Sequence, residues 1–166
     1  MAEALLITRQ DIVKFTSLNG NVDTDNFIQY IKIAQDTDLQ NFTGTKLLNK
    51  IKADIVASTL TGNYLTLTTT YLKPMLIHLA MKYYLPFAAY TISNNGVYKH
   101  NSENSTNVEK SEVDFLIEKE TQIAQHYTER FINYISFNNN LFPEYTANTN
   151  ADMFPDTNNN FTGWYI

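Results

Sequence analysis

Residues 108–137 read VEKSEVDFLIEKETQIAQHYTERFINYISF, the longest stretch of the chain that keeps one period. Val113, Leu116, Ile117, Ile123, Ala124, Tyr127, Phe131 and Ile135 recur at three- and four-residue steps, and Glu112, Glu118, Lys119, Gln122 and Glu129 fill the other side. This spacing predicts an amphipathic helix of about thirty residues, roughly 45 Å long, with one stripe turned to a core. Phe131 and Ile135 extend that stripe and are expected inside.

Upstream, Tyr90 to His100 changes period. Thr91-Ile92-Ser93, Asn94-Asn95-Gly96 and Val97-Tyr98-Lys99 read as strand, turn and strand, a short β-hairpin near 91–99 that projects from the helices. Before it lies the most apolar segment. Thr68-Thr69-Thr70 offer caps for a helix from Tyr71 to about Tyr90, with Pro74 in its first turn. Leu72, Leu76, Leu79, Ala80, Tyr83, Tyr84 and Phe87 run nearly all the way round it, the pattern of a helix buried between neighbours. Pro86 should bend or end this helix near Tyr84 or Leu85, because it removes a ladder bond and clashes with the preceding turn.

The first seventy residues supply shorter helices. Thr8 caps Arg9 to Phe15, with Asp11 placed as a capping-box acid. Asp23 or Thr24 caps a second helix, in which Phe27, Ile31 and Ala34, flanked by Ile28 and Leu39, face a core. Gly44 closes that helix, and Thr45 opens a third with Leu47, Leu48, Ile51 and Ile55 on one side. The expected fold is mainly α: an antiparallel helical bundle of four to five helices over residues 1–137, with the projecting hairpin. From 138 the helical period is lost, and 138–166 reads as an extended, Asn-rich arm. Its Phe142, Tyr145, Phe154, Phe161, Trp164 and Tyr165 are the residue types that anchor interfaces. Together with Ile92, Val97 and Tyr98 of the hairpin they are the candidate interaction residues.

Composition narrows the function classes. The 166 residues carry a net charge of -5, which disfavours generic binding to a polyphosphate backbone. No run approaches the eighteen or so apolar residues of a membrane span, and Met1 to Ile7 lacks the basic region of a signal peptide, so an intracellular product is expected. There is no cysteine, hence neither disulfide nor thiolate site. His78, His100 and His126 stand apart from one another and form no metal-ligand spacing; His78 and His126 read as structural histidines. Glu109, Glu112, Asp114, Glu118 and Glu120 read as a solvated helix face rather than an acid-base pair. No phosphate-cradling loop, nucleophile elbow or zinc-protease motif occurs, so catalytic, cofactor and metal residues are none. Asn and Thr number about twenty each, and the three glycosylation sequons are what that bias produces by chance.

The order of elements resembles the head-tail connector, or adaptor, proteins of tailed bacteriophages, in particular those of crAss-like phages. The resemblance spans Leu6 to about Tyr145. It is carried by Ile7-Thr8-Arg9-Gln10-Asp11-Ile12, by Tyr71-Leu72-Lys73-Pro74 leading into Lys82-Tyr83-Tyr84-Leu85-Pro86-Phe87, by Ile92 to Val97, and by Tyr127 to Ile135 before Phe142-Pro143-Glu144-Tyr145. It implies a structural virion protein in the portal-neck region whose twelve copies form a ring below the capsid portal. Its implied partners are itself, the portal protein and the adjacent neck or tail ring proteins, with DNA passing through the lumen without specific binding and no membrane involved. Two other readings fit the same composition: another neck or tail-completion subunit, and a small non-viral binding module built on Tyr83 to Phe87.

Overall fold

Thr8 starts the first helix as its sequence requires. Its hydroxyl accepts from the Asp11 backbone, and the Asp11 carboxylate accepts in return from the Thr8 N–H (2.8 Å), a complete capping box on α1, Arg9–Phe15. The computed structural model describes residues 4–18, 24–88, 90–93, 96–99 and 109–148, and among these the chain is mainly helical. After α1 come α2 (Thr24–Ala34), α3 (Gln40–Thr43), α4 (Thr45–Ala57), α5 (Gly62–Thr66), α6 (Lys73–Tyr84), α7 (Lys110–Phe137) and α8 (Pro143–Thr146). Between α6 and α7, β1 (Tyr90–Ser93) pairs antiparallel with β2 (Gly96–Lys99), Ile92 opposite Val97.

Two joints carry wide π turns. Gln35–Leu39 links α2 to α3, and Leu67–Leu72 links α5 to α6, with right-handed helical backbone at every junction. The helix expected to begin at Tyr71 therefore begins at Gly62 and runs through a π turn instead of a cap. Pro74 explains the wide turn. In a regular helix its ring would press on the carbonyl four residues back, and a π turn just before it moves that carbonyl away. Pro86 acts as expected: α6 ends at Tyr84 and tightens into a 3-10 turn, Leu85–Phe87. Gly44 has φ +73°, open to glycine at low cost, and so separates α3 from α4.

α6 lies at the centre and packs against α1, α2, the first π turn and α7. Its Met75, Leu76, Ile77, Leu79, Ala80 and Met81 are all buried, as are Phe27, Ile31 and Ala34 of α2 and Leu47, Leu48 and Ile51 of α4. Each Leu, Ile, Met or Phe among them contributes about 1.5–3 kcal/mol on burial. The segment before α1 also belongs to the core, with Leu6 and Ile7 buried. What holds it is Gln35, itself fully buried: the Leu6 N–H donates to Oε1 (2.9 Å), and Nε2 donates to the Ala4 carbonyl (3.1 Å). One side-chain amide thus replaces a strand partner for two backbone groups.

α7 departs from its sequence pattern. Ala124, Thr128, Phe131 and Ile135 are buried, but Leu116 and Ile123 are 45% and 40% exposed. At about 100° per residue these two lie roughly 80–100° from the line through Ala124, Phe131 and Ile135, on the flank of the stripe. Glu120 and Thr128 lie closer to its centre.

Candidate functional site

One cluster of chemistry-bearing side chains lies where α1, α6 and α7 adjoin. A groove of 210 Å³ there is lined by Asp11, Phe15, Lys73, His78 and Tyr127 among others. His78 Nδ1 lies 2.7 Å from Glu120 Oε2, with both side chains mostly buried. The Tyr127 ring stacks on the imidazole at 5.6 Å, nearly parallel, and the Arg130 guanidinium sits 5.5 Å from the Tyr127 centroid. A carboxylate only accepts, so His78 Nδ1 is the donor in this contact. Lys73 pairs with Asp11 at 3.5 Å. Burial pushes the Asp11 carboxyl up, but the backbone and hydroxyl of Thr8 and the Lys73 charge outweigh it, so its pKa falls below the ordinary 3.8.

This groove fastens helices to one another. It is smaller than the roughly 300 Å³ at which small-molecule sites begin, and Asp11, Thr69, Lys73 and His78 Nδ1 along it already have protein partners. Among the described residues no group of three or more His, Asp or Glu could hold a metal ion. Glu120 was assigned to the solvated face by its sequence neighbours; it faces inward because His78 is there, a pairing 42 residues apart that no local period reveals.

The candidate interaction residues fall into three groups. Phe142 and Tyr145, expected on a free arm beginning at 138, are instead in the core, at 0% and 7% exposure. A 3-10 turn (Asn139–Leu141) and α8 fold the chain back onto α4. Phe142 packs edge-on against Tyr64 (5.4 Å) and near Tyr134 (6.1 Å), while Tyr71 and Tyr134 stack at 4.1 Å. Tyr64 donates to Glu144, and Lys46 Nζ donates to the Ala147 carbonyl (2.6 Å). Burial, then the Glu144 carboxylate, push the Tyr64 phenol up to about 12. The reason is proximity: a few residues beyond α7, an aromatic ring gains more from the adjacent helices than from water. Ile92, Val97 and Tyr98 lie on β1 and β2, where the backbone register is what the structure describes. Phe154, Phe161, Trp164 and Tyr165 lie outside the described residues.

Two surfaces that the sequence did not mark out remain open. The first half of α7 exposes Phe115 (56%), Leu116 and Ile123 and has no buried residue before Ala124. α1 exposes Phe15 (58%) and Val13 beside Arg9 and Lys14.

Comparison with known proteins finds a family match. Residues 39–155 fit a family described as "Family of unknown function (DUF6712)". The chain belongs to DUF6712. The match starts in the first π turn and takes in α3 to α8, so the DUF6712 span holds the His78–Glu120 seam, the exposed half of α7 and the Phe142 closure. No curated protein and no solved structure gives a significant match to the chain. No helix among the described residues is long and apolar enough to cross a membrane.

Proposed function

We propose that this DUF6712 chain is a structural virion protein, a head-tail connector (adaptor) subunit of a tailed bacteriophage. Its copies close into a ring between the capsid portal and the neck or tail, and DNA passes through the lumen. The reading comprises an antiparallel helical bundle, a hairpin that projects toward a neighbour, and an arm that engages the portal. The supporting observation is the first half of α7, which keeps Phe115, Leu116 and Ile123 at the surface. Large apolar side chains left exposed along one stretch of helix suit a surface that works when covered.

The arm in this reading is shorter than the sequence pattern proposes. Phe142 and Tyr145 serve the subunit's own core, which leaves Phe154, Phe161, Trp164 and Tyr165 as the anchors for the portal. The reading assigns no catalysis and no cofactor. His78 is committed to Glu120 and Tyr127, and a net charge of -5 suits a channel that must not hold the passing duplex by its phosphates.

Native mass measurement of the full-length chain, with cryo-electron microscopy of the intact particle, tests the proposal. The expected result is a closed multimer and a ring of these subunits adjoining the portal. A monomer at every concentration, with no copy of the chain in the particle, overturns it.

A further inference from the structure

A concavity of 360 Å³ opens toward the Phe142 end of the molecule, where Tyr71, Arg130, Tyr134 and Phe137 line it. Tyr71 and Tyr134 are stacked there, and Phe137, at 88%, is the most exposed large apolar side chain among the described residues. The Arg130 guanidinium lies 5.8 Å from the Tyr71 centroid and 5.5 Å from that of Tyr127, so rings from two elements hold it in place.

Arg130 keeps its charge for a partner. One turn away on α7 stand His126, Tyr127, Asn133 and Tyr134, none of them a carboxylate, and the facing turn brings Tyr71. Glu129 points about 100° round the helix and accepts from Gln125 Nε2 (3.3 Å), while Lys73, beyond Tyr71, is paired with Asp11. Among the described residues no carboxylate comes within ion-pair distance of Arg130.

The chain itself supplies a complement. Residues 138–166 contain no Lys or Arg, so a charge partner for Asp152 or Asp156 must come from outside that segment. Its starting point is fixed: Lys46 Nζ holds the Ala147 carbonyl (2.6 Å), and Asn148 is buried. The Phe142 ring is 6.1 Å from Tyr134, and the single turn of α8 keeps Asn148 within roughly 25 Å of that ring. An extended chain covers about 20 Å by Phe154, the first aromatic residue after Asn148, and about 26 Å by Asp156. Phe154 and Asp156 lie on the same side of an extended strand, about 7 Å apart, and Tyr134 and Arg130 are one helical turn, about 6 Å, apart. The DUF6712 match also runs past Asn148 to residue 155, so it takes in Phe154 together with the concavity.

We propose that residues 152–156 seat in this concavity of their own subunit, Phe154 on the Tyr134 and Phe137 rings and the Asp156 carboxylate on the Arg130 guanidinium. Phe154 supplies the affinity by covering apolar surface, and the planar guanidinium fixes the register. Phe154 thereby holds the arm to its own subunit. Residues 157–166, with Phe161, Trp164 and Tyr165, leave from the Arg130 side with about 33 Å of reach. The inference rests on the connector reading only for what that free part meets; the seat lies within one subunit and needs no ring.

The chain has no cysteine, so spin labels can be placed singly or in pairs. Gln122→Cys, roughly two turns before Arg130 on α7, and Thr157→Cys are combined in the full chain. The nitroxide-labelled protein is diluted into excess unlabelled chain, so that electron-electron distance measurement reads one subunit. The expected result is a single narrow distance distribution, which at least doubles in width with Arg130→Asp and narrows again when Asp156→Arg is added. A broad distribution in the parent pair overturns the proposal, as does a narrow one that Arg130→Asp leaves unchanged or that Asp156→Arg fails to restore. A narrow distance found only between chains labelled singly at the two positions also overturns it, because the arm then crosses to a second copy. Absence of the chain from the particle overturns the connector reading and leaves these distances as they are, so the two failures are told apart.

Discussion

The two halves of α7 share one helical period and have different surroundings. From Ala124 to Ile135 the helix is embedded: Phe131 and Ile135 are fully buried, Tyr127 covers His78, and Tyr134 lies between Tyr71 and Phe142. From Lys110 to Ile123 no residue is fully buried. Two causes combine: Leu116 and Ile123 lie on the flank of the stripe, and the neighbour ends before α7 does. α6 and α7 advance in step, Tyr134 with Tyr71 and Tyr127 with His78, so Phe87, the last residue of the 3-10 turn, is level with about residue 118. The turns before that overhang the helix they were patterned to cover. An apolar stripe shows that a helix has an inner face; the length of its partner decides how much of that face is used.

Phe131→Ala should break the embedded half most severely. Loss of a fully buried aromatic costs about 3–5 kcal/mol, which for a chain of this size lowers Tm by roughly 10 °C in a calorimetric scan. Phe142→Ala should follow at about 3 kcal/mol, because its ring seals the end of the same half against Tyr64 and Tyr134. A negligible shift there would return Phe142 to the arm.

Gln35→Leu sharpens the contrast by removing the hydrogen bonds that tie the first segment to the core. It leaves the Leu6 N–H and the Ala4 carbonyl without partners, at about 1–3 kcal/mol, and amide exchange at Leu6 should quicken ahead of global unfolding. Acid should act next. Asp11 and Asp36 both have lowered pKa values: burial opposes ionisation, but Thr8 and Lys73 for the first, and Lys32 and Lys52 for the second, outweigh it. A depressed folded pKa gives stability that is present above the unfolded value and lost as pH falls through the folded one. Stability should therefore hold down to about the ordinary 3.8 and decline below it, and Asp11→Asn with Asp36→Asn should flatten that decline in a pH series of unfolding curves.

The smallest effect on folding is expected from Leu116→Ala, within about 0.5 kcal/mol as for an exposed position. A cost like that of Phe131→Ala would mean that the overhanging half is covered within the monomer.

Much of the helical framework was legible from local chemistry. Thr8 with Asp11 announced a capping box, Gly44 a break, Pro86 the end of α6, and the three- and four-residue spacing of Leu47, Leu48 and Ile51 a buried face. The π turns were not legible, because a turn widened by one residue leaves the composition unchanged; Pro74 was the available signal, and it looked like a helix start. The closing segment is illegible for a related reason. Asn138-Asn139-Asn140 and Pro143 break the period, yet a broken period is as compatible with a chain folding back as with one leaving.

By itself the sequence determined the cap at Thr8, the break at Gly44 and the end of α6 before Pro86, that α7 has an apolar face, and that the chain carries net negative charge, since these depend on neighbours a few residues away or on composition. The tertiary structure alone decided which half of α7 is covered, that Gln35 clasps Leu6, that Glu120 turns inward to His78, and that Glu144 meets Tyr64. Those partners are separated by 29, 42 and 80 residues, and only the packing of helices around α6 brings them within hydrogen-bonding distance.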